Sequence, residues 1–144
     1  MRYLRIFNRL IGEIVPSSRL KNFFLGLSGI EVHSSVFIGR RTTFIDKFQP
    51  RLIEIHERVS ISPGCIIVAA AVPEPSELKN NKRNVKIKKI IIESDVWLGS
   101  GVIILPGITI GKKSIIGAGS VVTKNIPPNE TWVGSPAAKI KYNN

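Results

Sequence analysis

The sequence is poor in the residues that form disulfides, metal centres and aromatic cores. Its 144 residues include one cysteine and two histidines, and only 7% of them are aromatic. A single cysteine excludes an internal disulfide and a cysteine-based metal cluster, and it is compatible with a reducing compartment. We therefore expect Cys65 to be a small core residue.

Long apolar runs are also missing. No segment approaches the roughly 20 consecutive apolar residues that a membrane-spanning helix needs. The first residues lack the apolar centre and the small-residue cleavage site of a secretory signal. Together with a length that suits one domain, these absences predict a cytoplasmic protein with a single core.

Acidic residues are outnumbered by basic ones. Ten aspartates and glutamates stand against 21 lysines and arginines, which leaves a formal net charge of +11. This excess predicts attraction to an anionic partner without identifying it. No zinc-ligand spacing, basic helix or aromatic-rich strand accompanies the charge, so nucleic acid is the weakest candidate. The cations form two clusters, each either a solvated face or an anion-binding surface: Arg2, Arg5, Arg9, Arg19 and Lys21, and then Lys79, Lys82, Arg83, Lys86, Lys88 and Lys89.

Aliphatic residues recur every six positions in the second half of the chain. A period of six fits neither a helix nor an ordinary two-faced strand. It fits a chain that makes a short strand, turns a corner and starts the next strand, so that three units complete one coil and stacked coils share a core. Glycine eases the corner at 99, 111 and 117. The first positions of the units are Ile92, Leu98, Ile104, Ile110, Ile116 and Val122, and the fifth positions are Val96, Val102, Ile108, Ser114, Ser120 and Ile126.

The repeat is less regular before residue 92 and is broken twice. A small break lies around Gln49 to Ile53, and a large one extends from about Ala70 to Lys89. The insertion between Val72 and Asn84 is polar and contains two prolines, which predicts an exposed loop. In a solenoid such insertions leave one face, often the binding face.

Two amphipathic helices are predicted before the repeat. The first has Tyr3, Phe7, Leu10 and Ile14 on one face, with Leu4 and Ile11 beside them, and ends at Pro16. The second begins at a cap formed by Ser17 or Ser18, has Leu20, Phe23, Phe24 and Leu27 on its apolar side, and ends at Gly29. We predict that residues 1–29 cap the open end of a solenoid formed by residues 30–144. The alternative is that the first helix lies on an anionic membrane surface.

Three motifs in the C-terminal half are highly specific. They are Asp95-Val-Trp-Leu-Gly-Ser-Gly-Val-Ile-Ile-Leu-Pro-Gly-Ile-Thr-Ile-Gly, Ile116-Gly-Ala-Gly-Ser-Val-Val-Thr-Lys, and Ile126-Pro-Pro with Val133-Gly-Ser-Pro-Ala-Ala-Lys. They closely resemble the signature of the left-handed β-helix, or hexapeptide-repeat, acyltransferases, and the match covers roughly residues 30 to 140. The N-terminal helices followed by an Ile38-Gly39 coil look like the branch that acetylates sugars in polysaccharide and surface-glycan synthesis.

This resemblance implies an all-β fold, a left-handed parallel β-helix, that assembles as a homotrimer. It implies acetyl-CoA as acyl donor in a groove between neighbouring subunits, a sugar acceptor at the other end of that groove, and no metal. The cofactor-binding positions that match the family are Gly99, Ser100, Gly117, Ala118, Lys124 and Lys139. For the glycines the competing interpretation is corner geometry alone.

The position of the family's catalytic histidine is the departure from this pattern. In the family a histidine at the edge of the large loop takes the proton from the acceptor hydroxyl, as a base with a pKa near neutrality can. Here that position is Ala70, and a shifted alignment places it on Val72, which cannot ionise either. We expect His33 and His56 to be ordinary surface or corner residues. Three interpretations of the missing histidine are open. The chain is an inactivated enzyme, naturally or by replacement of the histidine; or it transfers the acetyl group slowly through positioning alone; or another residue supplies the base.

The sequence therefore predicts an acetyl-CoA-dependent O-acetyltransferase acting on a sugar hydroxyl, with a noncatalytic CoA- or sugar-binding solenoid as the alternative. A γ-class carbonic anhydrase has a similar fold but needs three histidines at a spacing that this chain lacks.

Overall fold

The computed structural model describes residues 2–15 and 17–140. It begins with two helices, α1 (Arg2–Ile14) and α2 (Ser18–Leu27). Sixteen short strands follow among the described residues: β1 (Glu31–Val32), β2 (Phe37–Ile38), β3 (Thr43–Ile45), β4 (Ile53–Ile55), β5 (Ser60–Ile61), β6 (Ile66–Val68), β7 (Ala70–Ala71), β8 (Lys86–Ile87), β9 (Ile90–Ile92), β10 (Trp97–Leu98), β11 (Ile103–Ile104), β12 (Thr109–Ile110), β13 (Ile115–Ile116), β14 (Val121–Val122), β15 (Thr131–Val133) and β16 (Ala138–Lys139).

The strands form three sheets that the chain visits in turn. Sheet A has the order β1-β4-β9-β12, sheet B the order β16-β15-β13-β10-β5-β2, and sheet C the order β14-β11-β6-β3. Within these three sheets the pairing is parallel except between β15 and β16, and β7 and β8 form a separate antiparallel pair. Leu98 pairs with Ile116, three six-residue units later, so one coil contributes one strand to each sheet.

The core consists of the two columns that the six-residue period predicts. All six first-position residues from Ile92 to Val122 are at most 1% exposed, and the fifth-position residues are at most 5% exposed. The two serines in the second column are satisfied, because the Ser114 hydroxyl donates to the Pro127 carbonyl and the Ser120 hydroxyl to the Gly117 carbonyl. Cys65 is buried and unpaired, as predicted. The repeat therefore forms the core that its spacing indicates.

Three columns of corners connect the sheets. We call them corner AB, between sheets A and B, corner BC, and corner CA. Corner AB contains His33 and His56, and corner BC contains Gly39, Gly99 and Gly117. Corner CA contains the two irregular segments, one between β3 and β4 and the large insertion between β6 and β9.

The two N-terminal helices are present, and Gly29 follows the second one with a φ of +103°. Ser17 occupies the N-cap position of α2, but its side chain makes no capping hydrogen bond. Pro16 lies outside the described residues. Neither helix is long and apolar enough to cross a membrane, and no other helix in residues 2–15 and 17–140 is either.

Helix α1 packs against the coils with its polar side. Asn8 and Arg9 are buried, whereas the apolar residues Tyr3, Phe7 and Ile14 are exposed. This orientation differs from that of a helix that covers the core with its apolar side. The physical reason is the buried ion pair between Arg9 and Asp46. It ties the polar side of α1 to the segment between β3 and β4, which we call the first insertion.

The large insertion is an excursion closed at its base. Strands β7 and β8 pair antiparallel, with Ala70 opposite Ile87, and two 3₁₀ turns, Glu77–Asn80 and Lys82–Asn84, lie between them. Its tip is exposed, as predicted. Hydrogen bonds from Lys79 and then from Lys47 lower the pKa of Glu74 to about 2, so this carboxylate links the loop to the first insertion.

Candidate functional site

The four small residues predicted to bind a cofactor lie together at corner BC. Gly99 and Gly117 follow β10 and β13, which pair directly, and the exposed residues Ser100 and Ala118 come next in each coil. A Cβ on Gly99 would lie 2.6 Å from the Ala118 nitrogen. The stacking of the coils therefore requires glycine at 99, and a ligand is not needed to explain it.

The two predicted basic residues lie near β15, the strand next to β13 in sheet B. The Lys124 Nζ atom lies 5.1 Å from the centre of the Trp132 ring, and the Lys139 Nζ atom lies 2.7 Å from Glu130 Oε1. The Trp132 indole donates to the other oxygen of Glu130 at 2.7 Å. The hydrogen bond from Lys139 and then that from Trp132 lower the pKa of Glu130. Lys139 thus has an intramolecular counter-charge, whereas the partner of Lys124 is an aromatic face.

Ala70, the predicted position of the missing base, is only 3% exposed. It pairs with Ile87 at the base of the large insertion, after sheet C. The alternative position, Val72, is half-buried. Ala70 lies at the start of corner CA and the small residues lie at corner BC, so one chain does not bring these two sets of predicted residues to the same corner.

His56, expected from the sequence to be an ordinary surface or corner residue, has a carboxylate partner in the structure. Its Nε2 atom lies 2.6 Å from Glu54 Oε1, and the other oxygen of Glu54 lies 2.5 Å from Lys89 Nζ. The hydrogen bonds from Lys89 and then from His56 lower the pKa of Glu54. An ionised carboxylate at this distance orients an imidazole and leaves its other nitrogen available for proton transfer.

The surroundings of His56 are open enough for a ligand. A shallow, open depression of about 550 Å³ lies where sheet A meets corner AB and is lined by both histidines, Glu31, Glu54 and Glu57. His33 is hydrogen-bonded to Ser35 instead: its Nδ1 atom lies 2.8 Å from Ser35 Oγ and accepts a hydrogen bond from the Ser35 backbone N–H. The alternation of outward side chains in β4, Glu54 followed two positions later by His56, is the sequence signal for this pair.

No metal site accompanies the histidines. Within residues 2–15 and 17–140 no group of three or more histidine, cysteine, aspartate or glutamate side chains is arranged to hold a metal ion.

A family model for the bacterial transferase hexapeptide, six repeats, matches residues 89–124. A galactoside O-acetyltransferase from Lactococcus lactis is 39% identical over 137 residues, covering 92% of this chain and 64% of the relative. Residues 89–124 therefore match the hexapeptide repeat of bacterial transferases, and most of the chain is similar to a named O-acetyltransferase. The chain spans 54% to 64% of the length of the curated relatives that it matches over most of its sequence.

Two solved structures extend the comparison to the fold. A maltose O-acetyltransferase from Clostridium difficile 630 has a TM-score of 0.72 at 27% identity, covering 97% of this chain and 84% of the other. AntD, an N-acyltransferase from Bacillus cereus solved with dTDP and 3-hydroxybutyryl-CoA, has a TM-score of 0.67 at 28% identity, covering 78% of this chain and 62% of the other. The fold of this chain is therefore similar to that of one protein named an O-acetyltransferase and one named an N-acyltransferase.

Proposed function

We propose that this chain is a hexapeptide-repeat transferase that moves an acetyl group from acetyl-CoA to a sugar hydroxyl. The observation that carries the proposal is the 39% identity to a galactoside O-acetyltransferase over 92% of this chain, since that similarity extends well beyond the repeat itself. The proposed setting is polysaccharide or surface-glycan biosynthesis in the cytoplasm.

The proposal includes a left-handed β-helix and a homotrimer. The support for self-association is an apolar row on sheet B, in which the exposed side chains of Phe37, Trp97 and Ile115 occupy equivalent outward positions of β2, β10 and β13, with Ser60 of β5 between Phe37 and Trp97. Exposed apolar rows of this kind mark association surfaces.

Corner BC is the proposed cofactor site. Acetyl-CoA would lie along the exposed backbone of Ser100 and Ala118, with Gly99 and Gly117 permitting close approach and with Lys124 and Lys139 near its phosphates. The acyl-CoA in AntD, a related fold, supports an acyl-CoA here. Lys124 is better suited to a phosphate than Lys139, because its Trp132 partner leaves its charge uncompensated whereas Glu130 neutralises that of Lys139.

His56 is the proposed base, in place of the family position occupied by Ala70. The His56 imidazole lies beside Glu54 of sheet A, so the proposal requires a subunit contact that brings corner AB of one chain close to corner BC of another. His56 removes the proton from the sugar hydroxyl as its oxygen attacks the thioester carbonyl. The carbon–sulfur bond then breaks, CoA leaves as a thiolate that takes up a proton, and the sugar carries the acetyl ester.

The test is acetyl transfer from acetyl-CoA to a panel of galactosides and glucosides, followed by thiol release and by mass spectrometry of the ester. We expect ester formation by the wild-type chain and a decrease in kcat of about 100-fold or more for His56→Gln, since the loss of a general base typically has that effect. His33→Gln, one coil away at the same corner, is the matched control and is expected to stay within about twofold.

A second candidate function is a noncatalytic CoA-binding protein, favoured by the buried alanine at position 70. In that case calorimetry would detect CoA binding, but the wild type would form no ester on any acceptor. Val72 is half-buried and could be replaced by a base, so Val72→His would gain activity. Absence of CoA binding to the assembled protein at millimolar CoA would contradict both functions.

A further inference from the structure

Helices α1 and α2 present their apolar sides outward. Tyr3 and Ile14 at the two ends of α1 are 87% and 82% exposed, and the residues between them on that side are more than half exposed. Helix α2 also has an exposed apolar side. We call these residues together the helical apolar face: Tyr3, Leu4, Phe7, Leu10 and Ile14 of α1, and Leu20, Phe23 and Leu27 of α2.

The outward orientation of α1 is fixed from beneath. The Arg9 guanidinium forms two 2.9 Å hydrogen bonds to the two oxygens of Asp46, and both side chains are buried. Arg9 also donates to Ser28 Oγ and to the Phe44 carbonyl. Turning the apolar side inward would separate this pair, and an unpaired buried charge is strongly unfavourable. The helix therefore cannot bury its apolar side against its own coils.

The charges of the helices identify the kind of surface that would cover this face. The helices contain five basic residues and one acidic residue, Glu13. Arg9 is occupied in the buried pair, whereas Arg2 and Arg19 are exposed; Arg19 adjoins Leu20 on α2, and Arg2 lines a pocket with Lys47 and Glu74. A second copy of the same face would bring like charges together. A surface that is apolar below and anionic above matches both the apolar side chains and the arginines.

We propose that the helical apolar face docks on an anionic lipid bilayer, with α1 and α2 lying in the plane of the interface. The apolar row on sheet B differs from the helical apolar face, because its outward side chains Phe37, Trp97 and Ile115 include no basic residue. We assign that row to contacts between subunits. The docking does not depend on the proposed acetyl transfer, so each can fail without the other.

The experiment is vesicle flotation of the full chain. We expect the wild type to float with vesicles of phosphatidylcholine and phosphatidylglycerol in equal amounts, not to float with phosphatidylcholine alone, and to be released by salt. Phe7→Ser combined with Leu10→Ser is expected to weaken binding at least tenfold, because two exposed apolar anchors are lost. The matched apolar control is Leu78→Ser, since Leu78 is 60% exposed in the large loop and Phe7 is 59% exposed in α1.

The charge contribution has its own pair of variants. Arg2→Gln with Arg19→Gln should weaken binding to anionic vesicles, and Lys112→Gln with Lys113→Gln, which removes the same charge from exposed residues of the coils, should not. Circular dichroism melting checks that each variant is folded. Three results would overturn the proposal: no flotation of the wild type, equal binding by the Phe7/Leu10 variant, or dissociation of subunits by that variant, which would show that a second copy covers the face.

Discussion

Corner glycines have two competing explanations in this chain, a requirement of coil stacking and a path for a ligand. At Gly99 the nearest atoms to an added Cβ are backbone atoms of Gly117 and Ala118, which cannot move aside as the end of a flexible side chain does. Stacking therefore accounts for this glycine even when nothing is bound. The exposed neighbours Ser100 and Ala118 are the residues whose surface remains available to a ligand.

Gly99→Ala tests the stacking explanation. With CoA absent, we expect a loss of about 1–3 kcal/mol in the free energy of unfolding, since an inserted methyl group forces backbone shifts in a packed structure. Gly26→Ala is the control, because no atom lies within 4 Å of its added Cβ, and a helical alanine stabilises by roughly 0.4–1 kcal/mol. Urea denaturation measures both. A Gly99→Ala protein as stable as the wild type but unable to bind CoA would favour the ligand explanation instead.

The residues that sequence reasoning predicts best are those whose environment repeats. The first-position residues from Ile92 to Val122 are buried because each coil places them in the same environment. A period of six is therefore sufficient to find them. The contact of His56 with Glu54 and Lys89 does not repeat. It depends on how the large insertion returns to sheet A, and the broken register before residue 92 hides that path. The burial of Ala70 depends on the same return, through its pairing with Ile87.

At the scale of elements, α1 shows that an amphipathic pattern predicts a helix more reliably than it predicts the side that packs. The pattern indicates the helix correctly, but Arg9 and Asp46 are 37 residues apart and only the folded coil brings them together. Periodicity carries no information about such a pair. Its burial reverses the ordinary orientation, and the attachment of the whole element depends on it.

Arg9→Met is expected to release α1 from the coils. It leaves the Asp46 carboxylate, only 2% exposed, without a counter-charge, and removing one partner of a buried ion pair destabilises by about 3–5 kcal/mol. Hydrogen exchange of the α1 amides should rise strongly, and the urea midpoint should fall. Arg19→Met, at an exposed position of α2, should change stability by no more than about 0.5 kcal/mol. Adding Asp46→Asn to Arg9→Met should recover part of the loss; unchanged α1 protection in the single variant would disprove the anchoring role.

In the part of the chain that the structure describes, two exposed apolar surfaces lie on different elements, and they suit different partners. The helical apolar face is flanked by arginines and suits an anionic interface. The row on sheet B lies between corner AB with His56 and corner BC with the small residues, so self-association there is the contact that would complete the proposed site. Sheet B itself follows from the sequence, but the sequence does not say which of three sheets meets another subunit, because all three obey the same period.

Sedimentation equilibrium separates the two surfaces. We expect the wild type to behave as a trimer of about 48 kDa, three times the chain mass of 15.9 kDa. Trp97→Ser with Ile115→Ser should give monomers and lose acetyl transfer, since both exposed apolar side chains would leave the proposed interface. Phe7→Ser with Leu10→Ser should remain trimeric and keep its activity in solution while losing vesicle binding. A trimer that survives the sheet B variant but dissociates with the helix variant would exchange the roles of the two surfaces.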